Sequence, residues 1–339
     1  MSTLQQRPLG KATREAYGEA LVSLGQEYPQ LVVLDADLAK STHTAKFASA
    51  FPDRFFDMGI QEANLVGTAA GLALAGKIPV ISSFATFVMS KGFDQLRLAV
   101  AYTGANVKIV GTHAGISIGE DGVSQQAIED VALAQALPGF TVLVPADQEE
   151  TVQVIRAAVA HPGPVFVRVG RPKAPIVFAG DCHFAIGRAQ QLREGDDVTL
   201  LAAGLMLAAA LDAAEILADQ GISARVLDLA SVKPLDVAAV VRAARETGAV
   251  VVAEEHQYYG GLGASVALTL AEQAPVPAEF VSIRDTFAES GEAEQLMQRY
   301  GLTAADIVTK ARLAVARKQG GATNAPGDRT GSGAGVKSP

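Results

Sequence analysis

Asp57-Met58-Gly59-Ile60-Gln61-Glu62-Ala63-Asn64-Leu65-Val66-Gly67 is the stretch whose reading decides the fold. It follows the aromatic pair Phe55-Phe56 and opens into small residues that run from Thr68 to Gly76. Glu62 is the only carboxylate between Ile60 and Lys77. The helix expected to start there is almost entirely Ala, Leu, Val and Gly, a composition that packs closely and buries nearly all round. A carboxylate in such surroundings loses water, which favours its neutral form. A buried acid held near neutrality marks a functional site. The plainer alternative is a helix N-terminus with an acid in its first turn, which is common.

Two further landmarks follow at regular intervals. The first is Ser82-Ser83-Phe84-Ala85-Thr86-Phe87, which leads into a helical run through Asp94, Gln95 and Arg97. The second is Thr112-His113-Ala114-Gly115-Ile116-Ser117-Ile118-Gly119-Glu120-Asp121-Gly122. In order and spacing, the Gly-Ile-Gln-Glu-Ala-Asn motif and these two landmarks resemble the second half of a transketolase. That half occurs as the small subunit of two-chain members of the family, and the resemblance covers roughly residues 10 to 315. The Gly119-Glu120-Asp121-Gly122 loop is specific to transketolase-like members. The glutamate motif is shared more widely among thiamine diphosphate enzymes.

The resemblance implies an α/β fold of two parallel-sheet domains. A pyrimidine-binding domain is expected over residues 1–180, a transketolase C-terminal domain over 181–318, and a disordered tail over 319–339. It makes Glu62 the catalytic acid beside the aminopyrimidine ring of thiamine diphosphate. Phe84 and Phe87 become the wall on which that ring stacks, with Ile60 and Asp37 also at the cofactor. Taken alone, either phenylalanine reads as core packing. Arg14, Ser41, His113 and Arg171 match the residues that hold the substrate phosphate, a role suited to forked guanidinium donors. Read singly, Arg14 is a surface charge, Ser41 a helix cap, His113 a partner for a carbonyl, and Arg171 half of an ion pair. Asp121 matches the residue that contacts the acceptor's C2 hydroxyl, although an acid beside Gly is also an ordinary solvated turn. Gln125 stands where the family usually has His. An amide hydrogen-bonds but is neither acid nor base near neutrality. That departure leaves the thiamine chemistry intact and puts the usual pentose phosphate pair in doubt, allowing a modified sugar phosphate.

The rest of the chain agrees with an α/β reading. Residues 11–27 read as an amphipathic helix. Short apolar strands appear at Leu31-Val32-Val33-Leu34, Val80-Ile81, Val107–Val110, Thr141–Val144 and Val165–Val167, with helices between. Asp37, Phe84, His113 and Asp147 follow such strands, where ligands gather in open α/β sheets. After a connector from Lys173 to about Gly187, a second strand and helix pattern runs from Val198 to Glu254-Glu255-His256. The segment from about Gln319 is rich in Gly, Ala, Ser, Thr and Pro and is expected to be disordered.

With 339 residues, two cores are expected. Hydrophobic residues at 49% are enough to fill them. The run from Val198 to Leu211 is too short to span a bilayer, which takes about 20 residues. A net charge of −8 and no basic run longer than two residues argue against nucleic acid or anionic membrane as partner. The one cysteine, Cys182, excludes an internal disulfide and a cysteine-based metal site. A cytoplasmic location is therefore expected.

The Gly-Asp-Gly motif that binds diphosphate and magnesium in this family has no match. Gly195-Asp196-Asp197 lacks the second Gly and opens a strand. No metal ligand is therefore expected on this chain. Mg2+ and the diphosphate are expected mainly on an N-terminal partner subunit, in an α2β2-type assembly acting on sugar phosphates. The expected activity is transfer of a two-carbon ketol unit from a ketose phosphate to an aldose. The alternatives are the beta subunit of a 2-oxo acid dehydrogenase E1, 1-deoxyxylulose-5-phosphate synthase, a dedicated transketolase for a modified sugar, and a non-catalytic paralogue that only binds a partner.

Overall fold

The apolar runs become strands in residues 7–320, the part of the chain described by the computed structural model. In chain order they are Leu9–Ala12 (β1), Leu31–Asp35 (β2), Phe55–Asp57 (β3), Ile78–Phe84 (β4), Lys108–Thr112 (β5), Thr141–Leu143 (β6), Val165–Arg168 (β7) and Lys173–Pro175 (β8). The second half adds Gln190–Arg193 (β9), Val198–Ala202 (β10), Ala224–Asp228 (β11), Ser231–Lys233 (β12), Val250–Gln257 (β13) and Ala278–Ile283 (β14). The first sheet has the order β12-β6-β7-β5-β4-β2-β3, parallel except for β12. The second has the order β14-β13-β10-β11-β9, parallel except for β9. β1 and β8 form a separate antiparallel ladder, so Lys11 and Ala12 precede the first helix, Thr13–Glu27, and are not part of it. The expected tail lies almost wholly outside the described residues.

Strand alternation puts successive side chains on opposite faces. Val33, Val80, Val110 and Val167 pack under the helices Thr13–Glu27 and Gln148–Ala160. Leu34, Ile81, Ile109 and Phe166 face the other way, toward helix Glu62–Leu74. On that second side the apolar core continues without a break into the second half of the chain, through Val142, Val144, Leu201, Val232 and Leu262. Both sheets have buried faces, as parallel sheets require.

Helix Glu62–Leu74 departs from expectation. It buries Glu62, Leu65, Val66, Ala69 and Ala70, whereas Asn64, Gly67, Gly71 and Leu74 form an open stripe. A Cβ added at Gly67 or Gly71 would meet nothing within 4 Å. Burial therefore covers one face and not the whole circumference.

Where the two halves meet, Glu150 on helix Gln148–Ala160 and Asp228 at the end of β11 are buried against each other. Two carboxyls buried this close together favour a state in which one keeps its proton. Asp228 Oδ1 is buried without a hydrogen-bond partner. Burial, reinforced by the charge of Asp228, pushes Glu150 well above the carboxylate range, and burial also raises Asp228. Asp147 adds further negative charge, and Cys182 lies alongside with its thiol pushed up to about 12, first by burial. The folded chain thus keeps a proton that the unfolded chain has released above about pH 4. The pair's stabilisation is complete below that pH and is lost as pH rises through the raised values. Glu150→Gln supplies an N–H donor in place of that proton. The variant is expected to melt a few degrees above the parent at about pH 8, with the gap closing toward about pH 5. Parallel melting curves across that range would remove the shared proton.

Candidate active site

The residues singled out in the sequence gather along one edge of the first sheet. β7, β5, β4, β2 and β3 are neighbours and parallel, so their carboxyl ends lie side by side. Arg171 follows β7, His113 follows β5, Phe84 ends β4, Asp37 follows β2, and Ile60 and Glu62 follow β3. Arg14 joins them from the start of helix Thr13–Glu27, whose first turn is tied to the Arg171 loop. Gly170 N donates to Thr13 Oγ1 at 2.7 Å, and Arg14 N donates to Gly170 O at 3.4 Å.

One end of this edge is aromatic and acidic. Glu62 opens its helix with 4% of its surface exposed. Its Oε2 lies 4.0 Å from Lys91 Nζ, which also sits 4.6 Å from the centre of the Phe87 ring. One ammonium thus spans the acid and the aromatic face. Phe87 stacks on the buried Phe84 with ring centres 5.5 Å apart and planes 13° from parallel. Phe84 in turn stacks on His113 at 3.8 Å. Ile60 is 68% exposed, although apolar, and borders this end. Asp37 is exposed, and its N–H donates to Asp57 Oδ1.

The other end is cationic. Arg14 Nη1 donates to Ser41 O at 2.6 Å and to His113 Nε2 at 3.1 Å. That bond assigns the imidazole proton to Nδ1, which then donates to Thr112 Oγ1 at 2.8 Å, and the threonine hydroxyl passes on to Ser83 O at 3.3 Å. Burial, with Arg14, Arg171 and His43 nearby, pushes His113 down to about 3, so the ring is neutral at ordinary pH. Burial, then Arg171, also lowers Arg14 below its usual value. Arg171 Nη1 donates to Ile118 O at 2.6 Å, and its Nη2 is 3.7 Å from Glu120. Asp121 sits close enough to bias Arg14 but is itself exposed. Gln125 is half-buried, and its Oε1 accepts from the Ser124 hydroxyl. Ser41 enters this network through its carbonyl.

Three residues here were not legible from motifs. Asp35 is buried and accepts from Leu38 N, Thr42 Oγ1 and Thr44 Oγ1, which fixes the loop that presents Asp37 and Ser41. His43 follows in that loop and biases His113. Lys91 lies one helical turn beyond Phe87. Asp147, expected among the edge residues, instead caps helix Gln148–Ala160 and holds Val177 N and Phe178 N. Backbone strain points to the same edge. Among the described residues, non-glycine positive φ occurs at Asp37, His43, His113 and Asp285, and three of these four border the site.

The family profile described as "Transketolase, pyrimidine binding domain" matches residues 10–176, and "Transketolase, C-terminal domain" matches residues 187–307. The chain belongs to the transketolase family. Among transketolase relatives, it is 43% identical to the 6-deoxy-6-sulfo-D-fructose transketolase subunit SqwH of Clostridium sp. (strain MSTE9), covering 90% of this chain and 95% of that one. It is 42% identical to the putative transketolase C-terminal section of Methanocaldococcus jannaschii, covering 88% and 95%. A solved structure described as a split gene transketolase, inactive beta4 tetramer, superposes with a TM-score of 0.86 at 51% identity, covering 91% of this chain and all of that one. Membership in the transketolase family accounts for both domains and for their order. Among the described residues, no helix is long and apolar enough to cross a membrane.

Proposed function

We propose that the chain is the pyrimidine-binding subunit of a two-chain transketolase that transfers a two-carbon ketol unit between sugars carrying a terminal anion. The observation that carries this reading is the order along the sheet edge. An acid and an aromatic wall meet a cluster of two guanidiniums and a neutral histidine, with Phe84 and His113 in contact between them. Relatives of similar length that are described as subunits or sections of transketolases support the need for a partner.

The residues present fit the ring end of thiamine diphosphate. Phe87 offers a partly open aromatic face, Ile60 an open apolar edge, and Glu62 a buried carboxyl for a ring nitrogen. Phe84 backs Phe87, and Asp37 borders the same end. The cofactor supplies the carbanion chemistry when bound. Glu62 would set its carboxyl against the ring nitrogen, and the apolar helix behind it would keep water from that contact. On the substrate side, Arg14 and Arg171 hold the anion, and Ser41 fixes Arg14. His113 stays neutral and orients the Arg14 guanidinium. Asp121 and Gln125 face the sugar hydroxyls.

Gln125, together with the similarity to a subunit named for a sulfonated ketose, favours a modified sugar over the ordinary pentose phosphates. The diphosphate and magnesium are assigned to the partner subunit, and the assembly is of α2β2 type.

The test is reconstitution. The chain is assayed alone and mixed with the second subunit, with thiamine diphosphate and magnesium, against phosphorylated, sulfonated and unmodified ketoses. Turnover is expected only from the mixture, and far faster on the anionic sugars than on the unmodified ones. Robust turnover by the single chain would overturn the two-chain reading. A folded mixture with no ketol transfer on any of these sugars would overturn the activity.

A further inference from the structure

The loop from His113 to Gln126, which carries Asp121 and Gln125, does not rest on its own domain alone. Ala114 and Ala127 bridge its base, with Gly115 N donating to Ala127 O at 2.8 Å. Beneath it runs β13 of the second domain, whose Glu254, Glu255 and His256 are all buried. Glu255 Oε1 accepts from Ser117 N at 2.7 Å. The loop backbone passes directly over that carboxylate. A Cβ on Gly115 would lie 2.1 Å from Oε1, and the residue also has a φ of +80°. Glycine is required there on both counts.

The strand that presents Glu255 is bolted to the first domain at the same level. Arg168 is buried on β7, pairs with Asp130 at 2.8 Å, and donates from Nη2 to Glu255 O at 2.9 Å and Ala127 O at 3.1 Å. The far side of the loop meets a second segment of the same domain. Gln126 Nε2 donates to Glu289 O at 3.0 Å, and a Cβ on Gly122 would strike Ser290 Oγ at 2.4 Å. The loop passes its position on, because Ile118, next to Ser117, supplies the carbonyl that fixes Arg171.

We infer that Glu255 is a positioning residue for the substrate site, and that the second domain shapes the loop which binds the sugar. The inference rests on the reading that this loop lines the sugar channel. Glu255 touches neither sugar nor cofactor. It supplies a fixed acceptor under Ser117, and from there sets Ile118, Arg171 and the turn bearing Asp121. Removing the acceptor frees a backbone N–H that has no other partner and loosens the grip on the anion.

The test uses the reconstituted pair with Glu255→Ala, Glu255→Asp and Glu255→Gln. Asp keeps the charge but withdraws the acceptor from Ser117, whereas Gln keeps an oxygen in place. KM for the sugar is expected to rise about ten- to hundredfold in Ala and Asp, the scale of one charge-assisted hydrogen bond. Half-saturation by thiamine diphosphate should stay put, kcat should change little, and Gln should restore near-parent KM. Amide hydrogen exchange over residues 115–126 should speed up in Ala and Asp but not in Gln. If Glu255→Ala does not fold, Glu255→Asp decides. A folded variant lacking the acceptor, with unchanged sugar KM or unchanged loop exchange, overturns the inference. So does equal damage in all three variants. An inactive parent pair would instead strike at the transketolase activity, while the exchange data would still report on the loop.

Discussion

Glu62→Gln is expected to lower turnover of the reconstituted pair by about 10²–10⁴-fold, the usual contribution of a placed acid or base, while the fold persists. A carboxyl can share one proton with a ring nitrogen, whereas an amide keeps both of its own. The structural cost of the change is small by comparison. Loss of a negative charge from the first helical turn costs about 0.3–1 kcal/mol. The contact with Lys91 is long at 4.0 Å, and Lys91 is 54% exposed, so its loss costs at most about 1 kcal/mol. The side chain stays nearly isosteric within a buried position. Circular dichroism and association with the partner should therefore be indistinguishable from the parent. Near-normal turnover by a folded variant would remove Glu62 from the chemistry.

Arg171→Ala is expected to lower kcat/KM on anionic ketoses by about one to two decades, matching a lost charge-assisted bond of ~1.5–3 kcal/mol. The effect should fall mainly on KM, because an anion remote from the reacting carbons is held alike in the ground and transition states. Unmodified ketoses should lose much less. Gln125→His in the same assay should instead reorder the acceptor sugars while keeping the preference for an anion. Equal losses on charged and neutral sugars would show that Arg171 acts only through its bond to Ile118 O. An unchanged ranking with Gln125→His would place that side chain outside the channel.

The sequence was most legible where chemistry and periodicity coincide. Strands such as Val165–Arg168 are apolar on both faces and end in polar residues, so they announce both a parallel sheet and its functional edge. Membership in the transketolase family bears out the fold read from three landmarks in register. Less could be read where the deciding partner is distant. Ser117 and Glu255 are 138 residues apart, and no local pattern pairs them. Gly67 and Gly71 look like core packing, because small residues give the same sequence signal whether they face a neighbour or open space. The edge strands β9 and β12 have no apolar alternation to mark them, and their position depends on the sheets they join. His43 carries no motif, and its approach to His113 arises from a loop folded around Asp35.

β12 belongs by sequence to the second half of the chain but closes the first sheet, pairing Ser231 with Leu143. During synthesis the outer rim of β6 must therefore wait for almost ninety further residues, on the order of ten seconds at ribosomal rates. Until then its backbone groups are an open template for another copy's strand. A polypeptide cut between the two domains would keep that rim bare permanently. The two halves are thus better regarded as one co-translational unit than as separable modules, and fragments divided at the linker are the wrong material for dissecting either one.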